Sequence, residues 1–383
     1  MNITIFAQIL QRLPKNIFNE LVKKYKSDKH SKGIDSWTHL VSMLFCQFSK
    51  SNSLRDIHYG LNSATGNLNH FGVRKSPSKS SLSYINEHRD WRLFRDFYLA
   101  VVKNLNLSRN DKGRLKLKRK IFLLDSTIIS LCLEIFDWAK YRAKKGAIKL
   151  HTVLDYDGCL PVFVEMTNGL KHDAAMAKQF VFPAQSVVVG DRGYLDFPLM
   201  NQWDEQDVFF VIRCKENVKF IEEEISNPDY ENIQADIIGE LELDPSYKKY
   251  PKKLRMVVVY DKETEQYIEL FTNNFNWTAS TIAQLYKNRW DIETFFKNLK
   301  THLKIKSFVG TTTNAVLIQI WTAFITIALM KGFKTIAKHK WNLSNLINFL
   351  RLNLFVKIDL QYWLDHPFIP EKPPNESVQY SFF

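Results

Sequence analysis

The chain has few of the residues that mark a secreted or zinc-bound protein. Its 383 residues include four cysteines, Cys46, Cys132, Cys159 and Cys214. None lies close enough to another to form a Cys-x-x-Cys or mixed Cys/His zinc pattern. Cysteine use this sparse fits a reduced compartment, so a cytoplasmic chain is expected. Also missing is any apolar run of the roughly 20 residues that a bilayer requires. The most apolar stretch, AVLIQIWTAFITIALM from Ala315 to Met330, carries Gln319, Thr322 and Thr326. It reads as a buried core helix, and no membrane is expected among the partners. No cationic segment precedes the apolar start of MNITIFAQILQRLPK, so a signal peptide is not expected. Acidic residues are scarce in the first third: residues 1–120 hold 23 Lys+Arg against 8 Asp+Glu, and the remainder holds 30 against 32. The whole net charge of +13 therefore comes from the N-terminal region. Such asymmetry points to a polyanion-binding segment joined to a near-neutral body.

Residues 1 to about 105 read as helices by periodicity, with FAQILQRL, HLVSMLFCQFSKS and DWRLFRDFYLAVVKNL as examples. The stretch GVRKSPSKSSLSYINEHR, Gly72 to Arg89, begins as a basic Ser/Pro-rich loop and enters a helix near Ser80 to Ser83. A loop of that kind suits phosphate contact at a helix start, or it is an ordinary surface loop. SRNDKGRLKLKRK, Ser108 to Lys120, reads as a cationic linker. From Lys120 the pattern changes. KIFLLDST reads as a short strand ending on Asp125. AIKLHTVLDY and LPVFVEMTNG read as strands of a hairpin turned by Asp157-Gly158. Asp173 suits the cap of a short helix. SVVVGDRGY is a buried strand ending on Asp191, followed by a helix around Phe197 to Gln206 and the strand VFFVIRC. Residues 216 to about 253 are acidic and show no clear period. RMVVVYD and YIELFTNN read as two more strands, and the chain is helical from about Ala279 to Leu354, with a Pro-rich tail from Pro367. Strands alternating with helices around an antiparallel hairpin imply an α/β fold with a mixed sheet.

The segment YKNRWDIETFFKNLK, Tyr286 to Lys300, mixes charge and aromatics without glycine or proline. Taken as one helix, it places Tyr286, Arg289, Glu293 and Lys300 at relative positions 0, 3, 7 and 14. These fall within about 60° around the axis, in a stripe roughly 21 Å long. Leu285, Ile292, Phe296 and Leu299 form the adjoining apolar face, so the stripe runs along the rim of a buried surface. Two strand-terminal aspartates, Asp125 and Asp191, and the helical Glu293 would together make an oxygen-rich set. Such donors suit Mg²⁺, with Mn²⁺ as a possible substitute, and not zinc. Two ions of that kind, about 3.5–4 Å apart, support phosphoryl transfer. Each aspartate alone also fits a turn or cap, and Arg289 with Glu293 also fits an ordinary i,i+4 pair.

These motifs resemble those of the DDE transposases of the insertion-sequence-4 type, which have an RNase H-like catalytic core. The resemblance covers roughly residues 118–335. LLDST supplies Asp125, VVVGDRGY supplies Asp191, and the Tyr-x₂-Arg-x₃-Glu-x₆-Lys signature is met in full at Tyr286, Arg289, Glu293 and Lys300. KLHTVLDYDGCLPVFVEMTNGLKHDA is similar to the family's hairpin between the first two acids, and the long Asp191–Glu293 interval resembles members with a β-rich insertion. The resemblance implies an RNase H-like mixed sheet flanked by helices, preceded by an all-helical N-terminal DNA-binding domain. The expected division is 1–117 for that domain, 118–215 with 276–340 for the catalytic core, 216–275 for the insertion and 341–383 for a C-terminal helix and tail.

The resemblance further implies a metal-dependent enzyme with Asp125, Asp191 and Glu293 as catalytic residues and metal ligands. Tyr286, Arg289 and Lys300 would position the DNA end, with Arg192 and Lys149 as further DNA contacts. Expected partners are double-stranded DNA, as element ends and target, and a second copy of the chain in the DNA complex; a nucleoid-associated location follows. Two other readings remain open: an RNase H-like nuclease or resolvase without strand transfer, and a catalytically silent, transposase-derived DNA-binding protein.

Overall fold

A computed structural model describes residues 3–31, 33–105, 117–131, 136, 138, 140–142, 145–168, 170–216, 218–226, 228, 230, 232–242 and 246–369. The centre of the cationic linker, Cys132, Lys144 and the end of the Pro-rich tail lie outside the described residues. The chain forms two compact units. One gathers Met1–Leu107 and Asn298–Phe383, and the other is Ser108–Lys297.

The first unit is helical. Its N-terminal helices are α1 (Ile5–Gln11), α2 (Lys15–Lys24), α3 (Ser36–Ser49), α4 (Leu54–Ser63), α5 (Lys79–His88) and α6 (Arg92–Leu105). Side-chain caps fix several starts: Asp35 accepts from the Thr38 amide, Ser53 and Asp56 form a reciprocal capping box, and Ser78 accepts from the Ser81 amide. The expected helix entry near Ser80 is therefore set by Ser78. Helix α3 is buried along nearly its whole length.

The second unit is built on a ten-stranded sheet. Its strands are β1 (Ile121–Leu131), β2 (Lys140–Arg142), β3 (Lys145–Asp155), β4 (Leu160–Asn168), β5 (Val187–Gly190), β6 (Phe209–Arg213), β7 (Phe220–Ser226), β8 (Ile233–Leu241), β9 (Leu254–Asp261) and β10 (Gln266–Thr272). The spatial order is β2-β3-β1-β5-β6-β10-β9-β8-β7, with β4 also on β3. β3 pairs antiparallel with β1 and β4, whereas β5 runs parallel to both β1 and β6. This open mixed α/β sheet is consistent with the expected RNase H-like fold. Helices α7 (Asp173–Ala177), α8 (Phe197–Glu205) and α9 (Ser246–Lys249) follow in chain order. Phe122, Leu124, Val188, Phe210 and Ile212 meet Met176, Leu199 and Trp203 in one apolar core. Side chains alternate along a strand, so Leu123 and Asp125 face the other side.

Three features differ from the sequence reading. Strand β1 does not end at Asp125 but runs to Leu131, because Ser126 to Leu131 continue pairing with β3. The acidic stretch after residue 216 contains β7 and β8, which with β9 and β10 prolong the same sheet from β6. The Tyr286–Lys300 segment is two helices, α10 (Ala279–Lys287) and α11 (Trp290–His302). They meet at a tight turn where the Arg289 amide bonds the Tyr286 carbonyl at 3.0 Å.

The chain then returns to the helical unit through α12 (Thr313–Ile336), α13 (Leu343–Leu352) and α14 (Leu360–Asp365). Helix α12 packs on α3, α5, α6 and α13. It is long and apolar enough to cross a membrane, but 89% of its most apolar window is buried within the protein. Gly332 lets α12 approach α6, since a Cβ there would meet Leu105 at 2.7 Å. This packing is why residues from Asn298 onward group with the N-terminal helices. The expected division had placed residues 276–340 with the core and 341–383 apart.

Candidate active site

Asp125 and Asp191 reach the site from neighbouring parallel strands. β1 and β5 pair Ile121 with Val187 and Leu123 with Val189. Each aspartate follows two residues beyond the last of these pairs, so the two lie at the same level on strands about 4.8 Å apart. The Asp191 carboxylate accepts from the Gly193 amide at 2.8 Å, which fixes it at the start of the Arg192–Tyr194 turn. Asp125 accepts from the Ser126 amide at 2.7 Å. Glu293 comes from the first turn of α11.

Arg289 ties the helix to the sheet. Its Nη2 is 2.6 Å from Glu293 Oε1 and its Nη1 is 3.8 Å from Asp125 Oδ2. Its guanidinium carbon lies 5.5 Å from the centre of the Tyr286 ring. The Arg289 side chain is 10% exposed and that of Asp125 17%, so the site is largely shielded from water, where charges interact strongly. Burial pushes the Asp125 carboxyl up to about 7; the Ser126 amide and Arg289 oppose the rise, and Asp191 and Glu293 reinforce it. Asp125 thus lies within the fields of both other acids.

Several buried polar atoms around this point make no hydrogen bond: Thr152 Oγ1, Tyr194 Oη, Asn288 Nδ2 and Arg289 Nε. Thr152 lies opposite Asp125 in the β1–β3 register, so the two share a face. Three carboxylates beside unsatisfied hydroxyls match, in charge and donor type, a hydrated hard divalent cation. Among the described residues no three His, Cys, Asp or Glu side chains close up as a metal cage. The cation lying between Asp125 and Glu293 in this structure is the Arg289 guanidinium.

A second charged cluster lies on the α7 side of the sheet. Asp173 Oδ2 pairs with Lys149 at 2.8 Å and Oδ1 with His151 Nδ1 at 3.0 Å. Burial raises the Asp173 carboxyl, but bonds from His151, Lys149 and Ser126 outweigh it and hold the group at about 2. A Cβ on Gly193 would lie 2.9 Å from Asp191 and 3.6 Å from Asp173, so the second acid's turn abuts this cluster. The sequence reading treated Asp173 as a helix cap. It is instead the first residue of α7, and its carboxylate is directed to the sheet. The signal was the i,i+2 pair Lys149/His151, which puts two cationic or neutral nitrogens on one face of β3.

The other expected site residues fall as follows. Tyr286 is buried, at 7% exposure. Arg192 is exposed beside Asp191. Lys149, expected to meet DNA, is engaged by Asp173. Lys300 is half-buried on α11, seven residues beyond Glu293. Trp290 is 59% exposed, whereas Phe295 and Phe296 are both buried against one another.

Comparison with known proteins identifies the family. The family described as Transposase DDE domain matches residues 116–329, and a domain of unknown function (DUF4372) matches residues 1–74. A protein named as a transposase for insertion sequence element IS5377, from Geobacillus stearothermophilus, is 31% identical over 64% of this chain and 65% of its own length. One named as transposase y4zB, from Sinorhizobium fredii, is 30% identical over 67% of this chain and 71% of its own length. Among solved structures, a piggyBac transposase synaptic complex with hairpin DNA aligns with a TM-score of 0.45 at 12% identity, over 96% of this chain and 83% of that one. The first of these relatives is thus matched over slightly less than two thirds of its length. With the DDE domain matched across more than half of the chain, this protein belongs to the DDE transposase family.

Proposed function

We propose that the protein is a cut-and-paste DNA transposase of the insertion-sequence-4 type. The observation that supports this reading is that Asp125, on β1, lies in the fields of Asp191, from the end of β5, and Glu293, from α11, with a shielded Arg289 reaching Asp125 and Glu293. Asp125, Asp191 and Glu293 would hold divalent ions, Mg²⁺ by preference and Mn²⁺ as a substitute. When bound, such ions supply an activated water and stabilise the leaving oxygen of a phosphodiester. The chain's own residues orient the strand. Arg289 and Lys300, with the exposed Arg192, neutralise phosphates flanking the cut, and Tyr286 holds the Arg289 guanidinium by its ring face. Cleavage frees a 3′-hydroxyl at the element end, and that hydroxyl attacks target DNA in line, with no covalent enzyme intermediate.

Residues 1–117 serve as the principal DNA-binding domain, with the helices from Asn298 onward packed on its helices, residues 118–215 with 276–297 as the catalytic core and 216–275 as a β-rich insertion. Two protomers act together, because two ends must join one target. The protein works in the cytoplasm on nucleoid DNA. The decisive experiment incubates it with DNA carrying the flanking element ends and Mg²⁺, maps the 5′ and 3′ termini, and then supplies a pre-cut end with target DNA. Strand transfer is expected. Hydrolysis alone would assign the protein to the nucleases and refute the transposase reading.

A further inference from the structure

The helical unit holds a cluster of cations that has no part in the active site. Lys50 caps the end of α3, His302 ends α11, Lys304 and Lys306 lie on the loop leading to α12, and Arg351 is in the last turn of α13. Lys50 donates to the Thr301 carbonyl at 2.7 Å. Arg351 donates to the Phe48 and His302 carbonyls at 2.8 and 3.0 Å, and Lys304 donates to Asn52 Oδ1 at 2.6 Å. Some other cations of this unit meet carboxylates: Lys24 and Arg95 pair with Asp96, Arg89 with Asp28, and Arg92 with Asp90. Among the described residues none of Lys50, Lys304, Lys306 or Arg351 has such an ion pair. The acid within the field of Lys304 is Asp56, whose Oδ2 already accepts from the Asn52 and Ser53 amides.

The crowding is held in place by buried amides. Gln319, fully buried on α12, donates to the carbonyls of Lys304 at 2.6 Å and Ser307 at 2.9 Å, and accepts from the Val309 amide at 2.9 Å. Gln47, fully buried on α3, accepts from the Lys304 amide at 2.8 Å and donates to the Gln319 carbonyl at 3.0 Å. Lys50 is pushed below its usual range by burial and then by Arg351, Lys304 and Lys306. His302 is lowered by burial, Lys50 and Arg351. Capping of helix C-termini accounts for Lys50 and Arg351, but not for Lys304 or for the exposed Lys306. A loop clamped at both ends, presenting uncompensated like charge from several segments, fits an extended anion with regularly spaced charges better than one small ion.

We propose that Lys304 and Lys306, supported by Lys50 and Arg351, form a binding track for the phosphodiester backbone of double-stranded DNA, separate from the acidic site. The proposal rests on the transposase reading for the identity of the polyanion. The track reads charge and not sequence, so it serves element ends and target alike.

The test compares the full-length protein with the Lys304→Gln/Lys306→Gln variant by fluorescence anisotropy. The probes are an element-end duplex and an unrelated duplex of equal length, across a series of salt concentrations. Affinity is expected to fall several-fold for both, and the slope of log affinity against log salt to shrink by about two. Lys304→Arg/Lys306→Arg should retain both. An unchanged slope in the Gln variant, or an equal loss in the Arg variant, overturns the track. Absence of cleavage at element ends by the wild-type protein would instead defeat the transposase reading, while a slope change on both duplexes would leave the track standing.

Discussion

The clamped loop of the helical unit and the acidic site of the sheet unit hold polar groups in opposite ways. In the helical unit the buried polar side chains are mostly neutral and satisfied by one another or by backbone. Gln319 and Gln47 clamp a loop and Asn314 donates to the Asn86 and Arg89 carbonyls, although His39 Nδ1, Asn86 Nδ2 and Trp321 Nε1 are buried without a partner. At the acidic site of the sheet unit the shielded groups are charged and in conflict. Asp125 is shielded beside two other acids, and several hydroxyl and amide groups around it lack partners. Satisfied networks make a structure rigid and unique. An unsatisfied, like-charged cluster costs stability and persists where chemistry needs it. The contrast separates scaffold from site without reference to any relative.

The largest expected effect tests the site half of that contrast. Asp125→Ala, Asp191→Ala and Glu293→Ala should each reduce end cleavage by about a thousandfold or more, because charge stabilisation worth several kcal/mol is removed. DNA binding measured by gel shift should remain near wild type. Cleavage at the wild-type rate in any of the three would remove that residue from the proposed metal site. The scaffold half predicts the reverse pattern. Gln319→Ala removes the partner of the part-buried Lys304 and Ser307 carbonyls and Val309 amide, and should lower stability by about 2 kcal/mol in urea unfolding. A loss under 1 kcal/mol would mean that water replaces the glutamine and that the loop is not clamped as described.

Much of this contrast was legible in the sequence, and the gaps have physical causes. The three acids and Arg289 were readable because motif spacing survives folding. The stripe assumed one unbroken helix, yet the turn at Asn288–Arg289 leaves Arg289 within reach of both Tyr286 and Glu293. Strands with one buried face or two, such as β3, β5 and β6, were also readable from their apolar runs. Strand β7 was not: six of its seven residues are exposed, so FIEEEIS carries no period-two burial to detect. The continuation of β1 past Asp125 was hidden because the chain there turns polar at the site itself. Asp173 was missed because its partners, Lys149, His151 and Ser126, are brought together only by the strand register. The helical grouping of α12 with α3 and α6 depends on tertiary packing and has no local marker.

A subtler effect follows from the strain at Asp125. Replacing a carboxylate that burial and two neighbouring acids disfavour should relieve the metal-free protein. Asp125→Asn is therefore expected to raise stability by about 1–2 kcal/mol in the presence of a chelator, with activity lost. Thermal unfolding monitored by circular dichroism at pH 8 measures this directly. A lower midpoint for the Asn variant would show that the Arg289 attraction outweighs the repulsion and burial.

The smallest expected effect separates the two units by acid. His39 is fully buried, and burial, then the Arg89 charge, push it from its usual value down to about 3 despite its contact with Asn86. In the folded state it stays neutral well below pH 6.5, whereas in the unfolded chain it takes up a proton as pH falls through that value. The unfolded state therefore binds more protons between pH 6.5 and about 3. The stabilisation is fully present above 6.5 and is lost progressively across that window. At pH 6 the loss is about 1 kcal/mol, set by the unfolded value alone. Asp173 in the sheet unit is depressed to about 2, so its contribution is intact above its usual value of 3.8 and is lost only below it. Between pH 7 and pH 5, hydrogen-exchange protection corrected for intrinsic rates should accordingly fall in α3 and α5 while holding in α7 and rising in β1 and β3, where Asp125, raised to about 7, takes up a proton in the folded state before it does in the unfolded chain. Unchanged protection in α3 and α5 would mean that His39 is not held neutral, and a loss in β1 and β3 would mean that Asp125 is not held protonated, so that the two units would no longer differ in their response to acid.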